Sequence, residues 1–594
     1  MKKYVIVTIA MFVCGSVLAQ NKPKTEKAKD SIIKTEEVNV VTSYAPKVTD
    51  AYKIKRKPII KLSKNVERKT LDYQIQSIPV ASTFIPKSGV LKGIDLGDRE
   101  RLFNNYISAG FGNNTTPFLE AYFHNSNAFE YEYGGKVHFI SSSDPVQNTE
   151  LSSSYYNASI DLFLKQEMRY FDWKLGAKAS RDKYNWYGLP DNIVFLDPTI
   201  NRIEEGQTYE YYNIFGSVFL PSNISEVNGS VALFRDALDT SEIHADIDAK
   251  MSFPLGRFGL NSEDFELVTS INFLNGGFDR SYNDPLQDVA YSFVTGGVKP
   301  SYAFQFKNID FKVGAKAYYS FNLEASEGKF FIYPDAEVNY AIIPRYANIY
   351  GGVTGDLTVN SFKSLTDQNP YLSPTLTLTQ TSEALNVYGG FRGILSGNLN
   401  YNARVSYKRE ESKPLFLLNQ SLSNGINTSF PANGISFKGY QYGNSFNVVY
   451  DDVNTVSFEG EVSYDFSRKL NLGLNIGFNA FDLSTQEHAW NLPQLTADVF
   501  GTYKVKKWYA GANLYFIGSR KGINYDVIAN TSSVVDLNSY IDLNLNGGYH
   551  INDLFSVFLK ANNITNSNYQ TFTNFNAQGF QVLGGIIYKF DTFF

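Results

Sequence analysis

Five histidines, His124, His138, His244, His488 and His550, and one cysteine, Cys14, are the side chains best suited to hold a metal or serve as base or nucleophile. They are scattered, with no His-x-x-x-His or Cys-x-x-Cys spacing to bring two ligands together, so no metal site is expected. The chain has no G-x-x-x-x-G-K-[ST] loop and no G-x-S-x-G elbow, the signatures of phosphate binding and of one hydrolase class. His138 or His550 could act as base only if strands distant in sequence supplied a Ser or Asp. A polar setting accounts for them without chemistry. Glu459, Glu461, Asp465, Asp498 and Asp542 alternate with apolar neighbours, which explains them as one face of a strand before it suggests an acid/base pair. "DDVNT" (451–455) and "NDPLQD" (283–288) lack the ligand spacing of a calcium loop and read as turns. Neither an enzyme nor a cofactor is expected.

The composition explains what the elements must be. Among 594 residues, 41 Tyr and 46 Phe stand against 4 Met, 4 Trp and a single Cys, with 44 Gly. "MKKYVIVTIAMFVCGSVLAQ" carries two lysines, an apolar stretch and small residues before Ala19, so residues 1–19 read as a signal peptide. Cys14 follows Met11, Phe12 and Val13, not the small residues that precede a lipidated cysteine. Cleavage after Ala19 leaves a chain without cysteine, which excludes disulfides and thiol chemistry. No later run of 18 apolar residues offers a transmembrane helix, so a membrane role would need strands.

From about Phe103 a two-residue period recurs. Val456, Phe458, Gly460, Val462, Tyr464 and Phe466 alternate with Ser457, Glu459, Glu461, Ser463 and Asp465. Leu470 to Ala480 and Ile541 to Tyr549 repeat the pattern, and "GFQVLGGIIYKFDTFF" carries it to the chain end. These segments alternate for about ten residues or more, the length a tilted strand needs to cross hydrocarbon. "SRK" (467–469) joins two of them tightly, whereas 410–441 is a long excursion, the asymmetry of periplasmic turns and external loops. An open sheet in lipid would expose two unpaired edges, so the last strand must close on the first. The reading is all-β: a transmembrane outer-membrane β-barrel of about 22 antiparallel strands over residues 102–594, with a short N-terminal periplasmic segment. Tyr464, Phe466, Tyr588 and Phe590 fall near strand ends on apolar faces, where rings suit the headgroup level.

Residues 20–101 differ in charge. Between 21 and 70, fourteen basic residues face six acidic ones, while the whole chain is −5. Such a run reads as a solvated linker, or as a contact surface for a periplasmic partner or anionic headgroups.

The closing stretch resembles the last hairpin of TonB-dependent receptors. Asn562, Asn563, Ile564, Thr565, Asn566 and Tyr569 match that family's corner, and Gly579 and Phe580 its lead-in. "AWNLPQLTADVFGTYKVKKWYAGANLYFIGSRKG" is similar to the family's late barrel, with Pro493 before a strand and a loosened ending from Tyr515 to Arg520. "TEEVNVVTSYAP" (35–46) is similar to the segment where the energy-coupling box meets the plug. Glu36, Glu37, Val38, Asn39, Val40, Val41 and Thr42 form the candidate TonB box, with Asn39 interrupting the valine run. Such a box adds as a strand to a sheet of a TonB-like periplasmic protein; a β-prone stretch in a linker is the competing reading. The 82 residues from 20 to 101 are too few for the family's plug, and "STFIPKSGVLKGIDLGDRERL" is a poor match to its hairpin. The plug is therefore expected to be reduced or missing.

A lumen of that width needs filling, and the loops 362–382 and 410–441, the basic head or a partner are the candidates. Tyr588, Phe590 and Phe594 resemble the C-terminal signal read by barrel-assembly machinery. The resemblance implies a receptor acting in ligand binding or uptake, with outer-membrane lipid and a TonB-like protein as partners. The alternative is a non-transporting scaffold subunit held among outer-membrane partner subunits. No nucleic-acid partner is expected.

Overall fold

The computed structural model describes residues 101–126, 131–254, 265–426, 428, 436–526 and 531–591. Residues 1–19, the candidate TonB box at 36–42 and Phe594 lie outside the described residues. Strands, numbered in chain order, begin with β1 (Asn105–Gly112) and β2 (Thr116–Ser126) and end with β26 (Gln581–Phe590). Twenty-two of them form one sheet in which each pairs antiparallel with its neighbour along the chain. Two small hairpins, β20 (Arg520–Asp526) with β21 (Thr531–Leu537) and β24 (Gln570–Phe572) with β25 (Phe575–Asn576), stand outside it.

The sheet closes. β26 pairs with β1 from Asn105↔Phe590 to Gly112↔Leu583, so the edge groups that lipid would leave unpaired are joined. Asparagines pin both ends of this seam. The Asn105 side-chain amide donates to Phe590 O at 3.1 Å, and the Asn113 amide donates to Phe580 O at 2.9 Å while its oxygen accepts from Val582 N. Phe103 therefore lies just before the first strand, two residues ahead of its start.

Alternation sets the two faces. On β26, Ile586 and Tyr588 point outward and are exposed, whereas Ile587 between them is buried. On β16 (Phe446–Ser467), Val456, Phe458 and Val462 are outward and Glu459 and Glu461 inward. Near the periplasmic turns the outward rings pair across strands: Phe555 with Tyr588 at 4.8 Å, Tyr588 with Phe590 at 5.3 Å, Trp508 with Tyr549 at 5.1 Å. That is an interfacial aromatic girdle.

The abundance of glycine and aromatics has a second cause, on the inner face. Rings lie over glycines of the adjoining strand: Phe163 over Gly134, Tyr318 over Gly297, Tyr350 over Gly390, and Phe558 over Gly585. A Cβ at these glycines would come within 2.6–2.7 Å of the ring. The glycine leaves room for a flat apolar surface against the backbone, a known way for sheets to recover packing where a side chain is missing.

Two expectations about connections are corrected. The excursion does not begin at 410: β15 (Leu399–Leu418) and β16 run on as a hairpin above the barrel, pairing Lys413–Leu418 with Phe446–Asp451, so the loop is 419–445. "DDVNT" is no turn but part of β16. The turn between β16 and β17 (Leu470–Leu483) is 468–469, as tight as its sequence suggested.

Gly585→Leu tests the seam, because a Cβ there meets Phe558 Cζ at 2.6 Å and Gly110 Cα at 2.7 Å. The substitution is expected to abolish the compact, fast-migrating band of the folded barrel on unheated gels. Retention of that band at wild-type intensity would show that ring-on-glycine packing does not limit closure.

Candidate functional site

The largest apolar core of the described residues lies not in the wall but across the outer mouth. Wall residues enter it from β6 (Gly206–Phe219) as Tyr209, from β7 (Ile224–Asp236) as Phe234, and from β10 (Val289–Phe306) as Tyr291 and Phe293. From the other side come Phe416 and Leu418 of β15 and Phe446 of β16. β6 and β16 stand ten strands apart in a ring of 22, so one continuous core spans nearly the full width. Loops fill the space between: Val146 and Leu151, Tyr187 and Ile203, Leu372 and Leu376, Tyr442, and Phe575.

The segment 359–380 is the keystone. Its short helix α2 (Phe362–Thr366, following α1 at Asp197–Ile200) buries Phe362 and Leu365 completely. Ser361 caps it, its side chain accepting from Ser364 N at 3.0 Å while Ser364 Oγ accepts from Ser361 N. The wall holds the same helix end: Glu242 of β8 (Ser241–Phe253) accepts from Phe362 N at 2.6 Å, Lys363 N at 3.1 Å and Tyr291 Oη at 2.8 Å. Phe362 then meets Phe278 at 5.0 Å and Phe234 at 5.5 Å, both edge-on.

Directional bonds tie loops from distant parts of the chain. Trp186 Nε1 donates to Tyr371 O at 3.2 Å, Tyr209 Oη to Pro370 O at 2.9 Å, and the Asn444 amide to Trp186 O at 2.7 Å. Tyr371 stacks on Phe575 at 3.9 Å. Burial pushes the Tyr187 hydroxyl up to about 12, so it remains a donor to Asn576 O at 2.8 Å. Another latch lies at Asp451, beyond the roughly 9–11 residues of β16 needed to cross the bilayer. Its carboxylate accepts from Thr485 N, Thr485 Oγ1 and Gln486 N at 2.7–3.0 Å. Burial raises this group, but those hydrogen bonds outweigh burial and hold it below the usual carboxylate range.

The two loops named as lumen seals therefore do contribute, with corrected bounds 359–380 and 419–445. Wall strands and other loops also supply residues to this core, which no local pattern revealed. Glu459, Glu461, Asp465, Asp498 and Asp542 share the inner face, separated by strands. Their company is amide and hydroxyl, as in Asn475 donating to Asp498 at 3.2 Å and Tyr569 Oη to Asp542 at 2.7 Å. The histidines stay apart: His124 faces Glu132, His138 Glu120, His244 Asn272, His488 Glu487 and His550 Ser556. No metal-holding group of carboxylates, histidines or cysteine occurs among the described residues. The corner residues behave as a unit: the Asn563 amide donates to Ser567 O and Gln578 O, and Asn566 Oδ1 accepts from Phe580 N at 2.9 Å, joining corner to lead-in.

Two outcomes test the cap. Phe362→Ala removes a fully buried ring, which elsewhere costs about 3–5 kcal/mol; external protease is expected to cut 359–380 while the barrel band persists, and an uncut cap would deny the keystone role. For Asp451, a lowered native value means its contribution is present above about pH 4, the ordinary Asp range, and is lost as pH falls through the native value. Emission from Trp490, which is held within the anchored loop by its Nε1–H to Gln486 Oε1 and isolated by difference from Trp490→Phe, is expected to shift on acidification. Asp451→Asn should show that shift already at pH 7, and identical emission in both proteins at both pH values would rule the latch out.

No protein-family model and no curated relative matches the chain. Solved structures do. The ferripyoverdine receptor of the Pseudomonas aeruginosa outer membrane, bound to ferripyoverdine, superposes with a TM-score of 0.58 at 13% identity, over 83% of this chain and 72% of that one. The ferric enterobactin receptor of the same organism gives 0.58 at 10%, over 83% and 81%. The FrpB iron transporter of Neisseria meningitidis gives 0.60 at 10%, over 83% of each chain. These are TonB-dependent receptors of the outer membrane, not enzymes, and at such identity the likeness is one of fold. The chain thus has the 22-strand outer-membrane barrel architecture of TonB-dependent receptors, with its outer mouth closed by its own folded loops.

Proposed function

We propose that the protein is a receptor-type outer-membrane barrel that captures a ligand on its folded cap and takes part in ligand uptake. The observation that carries this is the cap: a structured external surface, latched to the wall at Glu242 and Asp451, above a lumen lined by carboxylates and amides. Pre-formed surfaces on rigid walls are what recognition needs. The fold-level likeness to siderophore and iron receptors supports the class and leaves the ligand open.

In this reading Glu36 to Thr42 is the strand offered to a TonB-like periplasmic protein, and the basic segment 20–101 is a reduced plug. Tyr588, Phe590 and Phe594 are the signal presented to barrel-assembly machinery. The scaffold reading is kept for one reason: the cap core runs unbroken from wall to wall, which suits a permanent seal inside a complex of outer-membrane subunits.

Deleting residues 36–42 separates the two. The receptor reading expects loss of crosslinking to a TonB-like protein with the folded band unchanged. Unaltered crosslinking, together with stoichiometric outer-membrane subunits on purification from native membranes, would replace it with the scaffold.

A further inference from the structure

A cavity of about 590 Å³ opens where the late barrel meets the cap, between the ends of β19 (Trp508–Ile517) and β22 (Tyr540–His550) and the corner loop. Its lining is unusual for its neutrality. Asn538, Ser539, Ser567, Asn568, Gln570 and Asn576 contribute amides and hydroxyls. The one carboxylate, Asp536, is paired with Lys521 at 2.6 Å. Arg520, outside the lining, donates from its two terminal guanidinium nitrogens to the carbonyls of Gln570 and Thr571 and lies 5.5 Å from the Tyr540 ring.

Aromatic surface completes the site. Tyr540 and Tyr569 stack with centroids 3.7 Å apart and planes 6° from parallel, and Tyr569 is fixed by its bond to Asp542. Phe516 and Ile541 share the outward register of Leu514 and Leu545, so part of the lining belongs to the lipid-facing side of the wall at the outer ends of β19 and β22.

We propose that this cavity binds a neutral saccharide. Several amide and hydroxyl groups match a ligand made of hydroxyls, which donate and accept in equal measure. Ring surface matches the C–H face of a pyranose. Among the described residues the lining holds no Lys or Arg, which disfavours phosphates and other anions, whose capture needs such a cation. The volume lies within the range of small-molecule sites. The sugar could belong to a free oligosaccharide or to an outer-leaflet glycolipid; the chemistry is the same. This deepens the receptor reading by naming its ligand class, and it is measured on the isolated chain without a periplasmic partner, so its failure leaves the 36–42 test untouched.

The full chain in detergent is applied to an array of neutral, sialylated and phosphorylated glycans, and to vesicles with and without glycolipid sugars. Binding confined to neutral glycans, or to vesicles bearing neutral sugars, is expected, and which arm responds identifies the source. Asn568→Arg, at an exposed position, should reduce it at least tenfold with the folded band and thermal transition unchanged. Tyr569→Ala should do the same, and Asn568→Gln should retain binding. No binding on any neutral arm, binding confined to anionic members, or binding unaltered by Asn568→Arg would each overturn the proposal.

Discussion

Everything in this molecule depends on one constraint: within hydrocarbon every backbone N–H and C=O has to find a partner in the protein, since an unpaired group there costs several kcal/mol. A sheet satisfies that only by closing. The pairing of Asn105–Gly112 with Leu583–Phe590 is the closure, which is why the period of two is kept to Phe590, the last residue of β26. Outward Ile586 and Tyr588 follow from the same pairing, because a slip of one residue would turn Ile587 and Lys589 to lipid. Ring-on-glycine packing lets neighbouring backbones carry a smooth inner wall where the seam demands it.

Closure with 22 strands creates the next problem, a lumen too wide for wall side chains to fill. The protein meets it at the outer end with loops that bring their own hydrophobic core. Phe362, Leu365, Leu372, Phe446 and Phe575 are fully buried although none lies within the lipid-facing belt. Such burial, repeated from β6 to β16, gives the cap the character of a small folded domain whose secondary structure is mostly borrowed from the wall. Polar latches then set its position, as Glu242 does for α2 and Asp451 for the loop after β17. Below the cap the inner face returns to carboxylates and amides, which water can solvate.

The barrel was legible in the sequence because its physics is local: alternation over about ten residues states which side meets lipid, and turn length states which end is periplasmic. The cap was not, because its partners are remote. Phe362 faces Phe234 and Phe278, which precede it by more than eighty residues, and nothing in its spacing announces those partners. Leu415–Leu418 read as loop since they do not alternate, and the structure gives the reason: Leu415, Phe416 and Leu418 are all buried, so both faces of that hairpin are covered. The corner residues were found by resemblance, yet their role, Asn563 and Asn566 organising the rim of the cavity at Tyr569, needed coordinates.

The central claim is that the outer mouth is sealed by the cap. It is tested most directly by cysteine accessibility, since Cys14 is the chain's single native cysteine. A cysteine at Glu459, exposed to the lumen, and another at Leu286, 86% exposed on an external loop, are labelled on intact cells with a membrane-impermeant maleimide. The account predicts rapid labelling at 286 and none at 459. Equal labelling at both positions would mean that the mouth stands open and that the cap is not a seal.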